Sequence, residues 1–124
     1  MAKVTGLGGV FFKSKDPKKL TQWYKEHLGV PVDEYGYVSF PHPNNDAVPS
    51  ITVWSPFKED TQYMEPSSLP YMINFRVDDL DALLSQLKEA GVEVDDKTSN
   101  DEFGKFGWCF DPEGRKIELW QPPG

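Results

Sequence analysis

Apolar and polar residues alternate over residues 9–15 (GVFFKSK), a pattern that predicts a β-strand. Asp16 and Pro17 follow and are typical of a helix start, because aspartate caps free N–H groups and proline suits the first turn. Gly29 predicts the end of this helix. Apolar residues at helical spacing predict its inward face, namely Leu20, Trp23, Tyr24 and Leu28. Three extended segments are predicted next, at residues 32–35, 37–40 and 51–55.

The second half of the chain shows the same order of patterns. An extended run at residues 71–77 precedes Asp78 and Asp79, which occupy capping positions, and Gly91 predicts the end of a second helix. The buried face of that helix is predicted to consist of Leu80, Leu83, Leu84 and Leu87. Strands are predicted at residues 93–95, 105–110 and 116–121. Each half is therefore predicted to be β-α-β-β-β.

Short sequences also repeat between the halves. The run ITVWSP at residues 51–56 aligns with IELWQP at residues 117–122, and Phe12 aligns with Phe75. Two similar units that each leave one sheet face uncovered must share a core. We therefore predict one α+β domain over residues 1–124, with module one at 1–56, a polar linker at 57–70 and module two at 71–124.

The composition excludes several classes of protein. A chain of 124 residues with 38% hydrophobic and 14% aromatic residues is typical of a globular domain. The net charge of −7 argues against a nucleic-acid partner and favours cationic or neutral ligands. The N-terminal apolar run is short and rich in glycine, so neither a signal peptide nor a membrane span is expected. The lone Cys109 is predicted to be a buried structural thiol, and we expect a cytoplasmic protein.

Several motifs then follow one another in a characteristic order. A strand precedes Asp16 and an amphipathic helix that ends in LGV at residues 28–30, FRVDDLDA follows at residues 75–82, and DPEG at residues 111–114 leads to IELW at 117–120. This arrangement resembles the glyoxalase / bleomycin resistance / extradiol dioxygenase (vicinal oxygen chelate) superfamily over nearly the whole chain. The resemblance implies two βαβββ modules that form a half-open mixed β-barrel, with helices outside and a small-molecule site on the concave face. It also implies a homodimer.

The resemblance further implies a divalent metal site on the first and last strand of each module. The corresponding residues are Gly9, Thr52, Met72 and Glu118, and of these only Glu118 is a good ligand for zinc, nickel, manganese or iron. Glycine has no donor side chain, and a thioether suits softer ions. We therefore expect no metal cofactor, with a divalent ion held by Glu118 and further unidentified donors as the alternative.

Strand alternation predicts which side chains face the concave side. If Glu118 does, so do Lys116 and Trp120, while Ile117 and Leu119 face the helix. The same rule turns Phe11 and Lys13 inward on the first strand. The candidate ligand-binding residues are Phe11, Thr52, Trp54, Met72, Asn74, Arg76, Trp108, Glu118 and Trp120.

Some of these residues have a structural alternative. Phe11 and Trp54 would equally fill a barrel interior too narrow for a ligand. Lys13 and Arg76 lie near strand ends, where a solvated rim is expected. A carboxylate such as Glu118 in an apolar strand needs either a pocket or an ion pair, with Lys116, Lys13 or Arg76 as the candidates.

Glu118 is also the candidate catalytic residue, because partial burial would raise its pKa and make it a general base. His27 on the first helix and His42 in the Pro41-His42-Pro43 loop lie at none of the implied ligand positions and are expected at the surface. Three functions remain open. They are a metal-independent protein that binds a metabolite or antibiotic, a glyoxalase-like lyase, isomerase or dioxygenase that uses Glu118 with donors from a partner subunit or from His42, and a dimerising or regulatory module without a ligand.

Overall fold

A computed structural model describes residues 1–42 and 50–123. Its strands lie side by side in one mixed sheet, in the order β2, β3, β1, β4, β7, β6, β5. The elements are β1 (Val4–Ser14), α1 (Pro17–Leu28), β2 (Val38–His42), β3 (Ser50–Lys58), β4 (Tyr71–Val77), α2 (Leu80–Glu89), β5 (Ser99–Asp101), β6 (Gly104–Phe110) and β7 (Lys116–Gln121). The sheet is open, and the expected α+β architecture is confirmed.

The two halves meet at the centre of this sheet, where β1 and β4 pair antiparallel. Each of these strands also pairs in parallel with the last strand of its own half, β1 with β3 and β4 with β7. A helix connects the strands in each half, as a parallel pairing requires. The described part of the chain therefore shows two similar units joined along β1 and β4, in agreement with the sequence repeat.

Both helices begin at the aspartates that the sequence indicates. Asp16 Oδ1 accepts a hydrogen bond of 3.1 Å from the backbone N–H of Lys19, and Asp79 Oδ1 accepts one of 3.1 Å from Ala82. Gly29 follows α1 with a left-handed φ of 68°, which glycine adopts without strain. The predicted helix boundaries are therefore confirmed to within a residue or two.

The sheet carries a separate apolar cluster on each face. On the helix side, α2 packs through Leu80, Leu83 and Leu84 against Leu119, and Ile117 and Phe75 extend this cluster. On the opposite, concave face, the buried members of the second cluster are Phe11, Met64, Met72 and Trp108. The predicted alternation along β4 and β7 is confirmed, since odd-numbered residues face α2 and even-numbered residues face the concave side.

The first helix is packed less completely than its pattern predicts. Tyr24 contacts Trp54 with 4.7 Å between ring centroids, but Trp23 is half exposed and Leu28 is mostly exposed. Their prediction as core residues was wrong, because α1 covers a narrower stripe of the sheet than its apolar face would allow. None of the helices in the described ranges is long and apolar enough to span a membrane.

Two predicted strands are replaced by other structures. In place of the strand predicted at residues 32–35, residues 33–36 form a turn, since Asp33 Oδ1 accepts hydrogen bonds from the N–H groups of Tyr35 and Tyr37 and so competes with strand pairing. The segment 93–95 is reduced to a single bridge between Val94 and Cys109. The edge strand of the second half is instead β5, which the sequence did not indicate.

Candidate functional site

The concave face is centred on Glu118, in the middle of β7. Glu118 pairs with Asn74 on β4 and with Trp108 on β6, so these three side chains lie side by side across three strands. All three are buried, and Glu118 retains only 3% of its accessible surface. The carboxylate therefore lies inside the protein, although charged carboxylates are rarely buried without partners.

Three neutral side chains donate hydrogen bonds to this carboxylate. Asn74 Nδ2 donates to Oε1 at 2.6 Å, and Trp108 Nε1 donates to Oε2 at 3.0 Å. The hydroxyl of Tyr63 also donates to Oε2. Among the described residues, these neutral donors take the place of the ion pair with Lys116, Lys13 or Arg76 that the sequence suggested.

Burial dominates the electrostatics of Glu118. Loss of solvent raises the pKa of this carboxyl above its usual value, while the hydrogen bonds from Tyr63, Asn74 and Trp108 and the nearby Lys116 ammonium partly oppose the rise. The pKa of Tyr63 is also raised, first by burial and then by the adjacent Glu118 charge. The pair therefore favours a phenol that keeps its proton and gives a hydrogen bond to the carboxylate.

Residues 59–70, which we call the covering segment, connect the two halves and fold over this face. Met64 in this segment is fully buried and packs with Phe11, Met72 and Trp108. The ring of Tyr63 stacks on Phe57 with 5.7 Å between centroids. The hydroxyl of Tyr63 points toward Glu118, while 40% of the surface of the residue remains exposed.

Lys116 connects the covering segment to the sheet. Its buried ammonium donates hydrogen bonds to the carbonyl oxygens of Tyr63, at 2.9 Å, and Glu65, at 3.0 Å. The same nitrogen lies 5.5 Å from the ring centroid of Trp108, within the range of a cation–π contact. Lys116 therefore holds the covering segment in place and balances part of the Glu118 charge.

The structure brings most of the predicted site residues together. Phe11, Met72, Asn74, Trp108 and Glu118 form one continuous patch on the concave face. Their proximity is now a geometric observation, whereas a role in ligand binding stays a prediction.

Trp120 and Arg76 lie opposite each other in the pairing of β4 and β7 and extend this patch toward the carboxyl ends of these two strands. Trp120 stacks on Phe106 with 6.4 Å between centroids and donates its indole hydrogen to the carbonyl of Phe103 at 2.7 Å. Arg76 is buried, with 8% of its surface exposed. The expectation that Arg76 lies on a solvated rim was therefore wrong.

Thr52 and Trp54 do not face this patch. Trp54 packs against Tyr24 of α1 and against Phe12, and Val53 points to the concave side in its place. The Thr52 hydroxyl donates to the carbonyl of Leu7 at 3.0 Å. The prediction that both side chains point inward was wrong. The inward positions on β3 are shifted by one residue, and such a shift turns every side chain of a strand to the other face.

Neither histidine approaches Glu118. His42 lies at the end of β2, where its Nε2 is 2.8 Å from the hydroxyl of Thr52, and His27 is exposed on α1 beside Trp23. Pro43, the other flank of the predicted loop, lies outside the described residues. The possible contribution of His42 to a Glu118-centred site is therefore not supported by this geometry.

Sequence reasoning missed Tyr63 and Met64. Both lie in a stretch that contains two prolines and many polar residues, a composition typical of a solvated connection. The one sequence signal that they are packed was the presence of two adjacent large side chains, which a solvated linker does not need.

The residues around Glu118 do not fit a divalent metal ion. Both carboxylate oxygens already accept N–H or O–H hydrogens, which would repel a cation, and Lys116 adds a positive charge nearby. Of the other implied ligand positions, Gly9 has no side chain, Met72 is fully buried among apolar groups and Thr52 faces away. Within residues 1–42 and 50–123, no three His, Cys, Asp or Glu side chains form a group that could hold a metal.

A cleft of about 880 Å³ lies elsewhere, between the first half of α1, the turn at residues 33–36 and the end of β3. Its wall mixes lysines such as Lys18 and Lys25 with acidic residues such as Asp33 and Glu34. These four side chains are exposed. The concave face around Glu118 therefore remains the better candidate, because polar groups converge there in a buried apolar setting.

Comparison with known proteins places this geometry in context. The sequence model of the Glyoxalase/Bleomycin resistance protein/Dioxygenase superfamily matches residues 7–119. No curated protein sequence matches this chain.

Solved structures show the same fold at low sequence identity. A methylmalonyl-CoA epimerase from Streptomyces coelicolor superposes with a TM-score of 0.67 and 18% identity over 98% of this chain and 100% of the epimerase. The methylmalonyl-CoA epimerase from Mycobacterium tuberculosis gives 0.61 and 21% over 98% of this chain and 90% of that one. A structure described as an NAD-dependent benzaldehyde dehydrogenase from Legionella pneumophila gives 0.62 and 17%, with 93% and 98% covered. The expected vicinal oxygen chelate fold is confirmed.

Proposed function

Because the chain belongs to the Glyoxalase/Bleomycin resistance protein/Dioxygenase superfamily, we propose that it binds a small molecule on its concave face, around Glu118, without a resident metal ion. The observation that carries the proposal is the burial of Glu118 and the hydrogen bonds to its carboxylate. This carboxylate is almost fully buried, and neutral hydrogen-bond donors surround both of its oxygens. Such a group serves a ligand as a fixed hydrogen-bond acceptor and not as a metal ligand.

The surroundings of Glu118 support a flat ligand. Phe57, Tyr63 and Trp108 stand around the carboxylate with their rings in contact, and Phe11 packs beneath Phe57. Apolar walls with a few fixed polar groups are typical of small-molecule sites. The net charge of −7 also favours approach of a cationic or neutral molecule over an anionic one.

The test is a thermal stability screen of untagged protein in EDTA against metabolites and cationic antibiotics. A ligand present at one hundred times its dissociation constant stabilises the folded state by about 2.7 kcal/mol, which is readily detected. We expect at least one compound to raise the melting temperature of the wild type by more than that of Glu118→Gln, because an amide oxygen is a weaker hydrogen-bond acceptor than a carboxylate. A matched variant on the opposite face, Thr52→Val, should respond as the wild type does.

Metal analysis of the same protein completes this test. We expect less than one-tenth of an equivalent of zinc, nickel, manganese or iron after purification without a histidine tag. A stoichiometric ion that Glu118→Gln removes would contradict the proposal. If no compound raises the melting temperature, the third function is favoured, a dimerising or regulatory module without its own ligand.

A second candidate function is proton transfer by Glu118. The raised pKa of its carboxyl and the direct contact with the Tyr63 hydroxyl are the observations that favour it, because a general base needs a pKa near the working pH. The two epimerase structures compared above are methylmalonyl-CoA epimerases, so incubation with methylmalonyl-CoA in deuterium oxide is the direct assay. Deuterium uptake at the carbon between the two carbonyl groups, lost in Glu118→Gln, would establish this function over simple binding.

We also propose that the protein is a cytoplasmic homodimer. Large apolar side chains that remain exposed in the described single chain support association, namely Val4, Leu7, Trp23, Leu28 and Phe103. Closed twofold symmetry is the commonest arrangement of soluble oligomers. Light scattering at micromolar concentration should give twice the mass of 14.1 kDa, and a mass of one chain would contradict the dimer.

A further inference from the structure

We propose that Tyr63, Met64 and Glu65 are an internal occupant of the Glu118 cleft, and that a ligand enters by displacing them. This inference rests on the proposed ligand site but concerns its regulation. The covering segment fills the space that the fold leaves on its concave face, and Met64 has no exposed surface. The chain itself thus covers the concave face around Glu118.

The internal occupant uses the polar groups of the cleft as a ligand would. The Tyr63 hydroxyl satisfies Glu118, and two main-chain carbonyl oxygens satisfy the Lys116 ammonium. The ring of Tyr63 lies between them, stacked on Phe57 and edge-on to Trp108 at 6.1 Å. A buried carboxylate and a buried ammonium both need partners, and displacement without replacement would cost Glu118 one of its three hydrogen bonds and Lys116 both of these carbonyl partners.

These contacts define the chemistry of the molecule that replaces the segment. It carries a hydroxyl or amino hydrogen for Glu118 and a carbonyl or carboxylate oxygen for Lys116. The part between these groups is flat, because it must fit between the rings of Phe57 and Trp108. A molecule that lacks either polar group leaves one partner unpaired and binds weakly.

The covering segment is attached to the sheet in few places, which suits an exchangeable occupant. Its own turns are closed by hydrogen bonds inside the segment, from Glu65 N–H to the carbonyl of Gln62 at 3.1 Å and from Ser67 N–H to that of Met64 at 3.0 Å. Its polar contacts to β7 are those of Tyr63 and Lys116, and at the end of the segment the N–H of Lys13 on β1 donates a hydrogen bond of 2.7 Å to the carbonyl of Pro70. The segment can therefore leave the concave face by local unfolding, in which these turn hydrogen bonds open while the sheet stays intact.

The first test measures opening without any ligand, by hydrogen exchange at the amides of Glu65 and Ser67. Tyr63→Phe removes the hydroxyl contact and Lys116→Met removes both carbonyl contacts, so we expect exchange to be about tenfold faster or more in each variant, with the amides of β6 unchanged. Tyr71→Phe is the matched control, since that hydroxyl contacts Arg115 at the rim. Unchanged exchange in both variants would overturn the proposal.

The second test asks whether a free molecule can take the place of the internal occupant. The probe is 4-methylphenol, which is the tyrosine side chain as a separate molecule. We expect it to raise the melting temperature of Tyr63→Ala and not that of the wild type, and toluene to bind about tenfold more weakly because it lacks the hydroxyl. Equal responses of the wild type and Tyr63→Ala, or no response of either, would overturn the proposal.

Neither test requires the natural ligand, so the two proposals fail separately. If no compound in the screen raises the melting temperature, while amide exchange is faster in the variants and 4-methylphenol binds Tyr63→Ala, the proposed function alone is rejected. Hits in the screen together with unchanged exchange would reject the internal occupant alone. If Tyr63→Ala does not fold, the exchange rates of Tyr63→Phe and Lys116→Met decide.

Discussion

Trp108 and Glu118 lie directly opposite each other on β6 and β7, and the indole nitrogen of Trp108 donates to Glu118 Oε2 at 3.0 Å. Asn74 reaches the other oxygen of the same carboxylate from β4. Three neighbouring strands thus fix the position of one charged group. This arrangement determines which substitutions the site tolerates.

Glutamine should replace Glu118 with little loss of stability, whereas leucine should not. In Glu118→Gln the amide oxygen can accept from Tyr63 and Trp108, and the amide nitrogen can donate to Asn74 if that side chain turns its Oδ1 toward it. Asn74 Oδ1 has no hydrogen-bond partner among the described residues, so this rotation leaves no other bond broken. We expect urea unfolding to show a change within about 1 kcal/mol for glutamine and a loss of about 2–4 kcal/mol for leucine, which leaves buried donors unpaired.

A loss of more than about 3 kcal/mol in Glu118→Gln would show that the charge itself holds the site together. That result would contradict the claim that hydrogen bonds from neutral donors are sufficient to hold this side chain in place.

Gly8 should not tolerate alanine, although the nearby Gly6 should. A Cβ atom at position 8 would lie 2.0 Å from Asn74 Oδ1, and at position 6 it would meet nothing within 4 Å. We expect Gly8→Ala to lower the free energy of unfolding by about 1–3 kcal/mol, because Asn74 must move away from Glu118. Gly6→Ala should change it by less than about 1 kcal/mol. Equal effects of the two substitutions would contradict the close packing of Asn74 on β1.

Met64→Ala should destabilise the protein by about 2–5 kcal/mol, the usual cost of emptying a fully buried methionine site. Gln62→Ala in the same segment is the control, since the Gln62 side chain is exposed. Urea unfolding monitored by tryptophan fluorescence measures both. If Met64→Ala costs no more than Gln62→Ala, the covering segment is not packed on the concave face in solution.

Cys109 should make the stability of the protein fall at alkaline pH. Burial raises the pKa of its thiol from about 9 to about 11, so the unfolded chain loses this proton first as the pH rises. The stability that the neutral thiol contributes is complete below pH 9 and is lost between about pH 9 and pH 11, by roughly 2 kcal/mol. The difference between the wild type and Cys109→Ala across this range isolates the effect, and parallel curves would contradict it.

Much of the fold follows from the sequence because its main signals are local. Asp16 and Asp79 cap the helices where expected, and the alternation along β7 assigns Glu118 and Leu119 to opposite faces. The edge strands were harder, since Asp33 forms a turn through its own side chain and β5 has three exposed polar residues with no apolar pattern.

The site was only partly predictable because two of its determinants are not local. β3 has apolar residues on both faces, so alternation alone cannot decide whether Val53 or Trp54 faces the concave side. The alignment of β3 with β7 matched Trp54 to Trp120 and so assigned Trp54 to the wrong face. Tyr63 reaches Glu118 across a sequence separation of 55 residues. Tertiary packing decides both contacts, and no spacing rule in the sequence encodes it.

The most direct test of the Glu118 account is the indole N–H resonance of Trp108 in a nitrogen-15 spectrum, assigned with Trp108→Phe. This hydrogen is bonded to the Glu118 carboxylate, so its chemical shift changes when a metal ion or a ligand binds to that carboxylate. We predict that EDTA-treated protein shows a hydrogen-bonded resonance that millimolar zinc, nickel or manganese leaves in position, and that a compound from the stability screen shifts it. A shift or broadening complete at one equivalent of metal would contradict a metal-independent site.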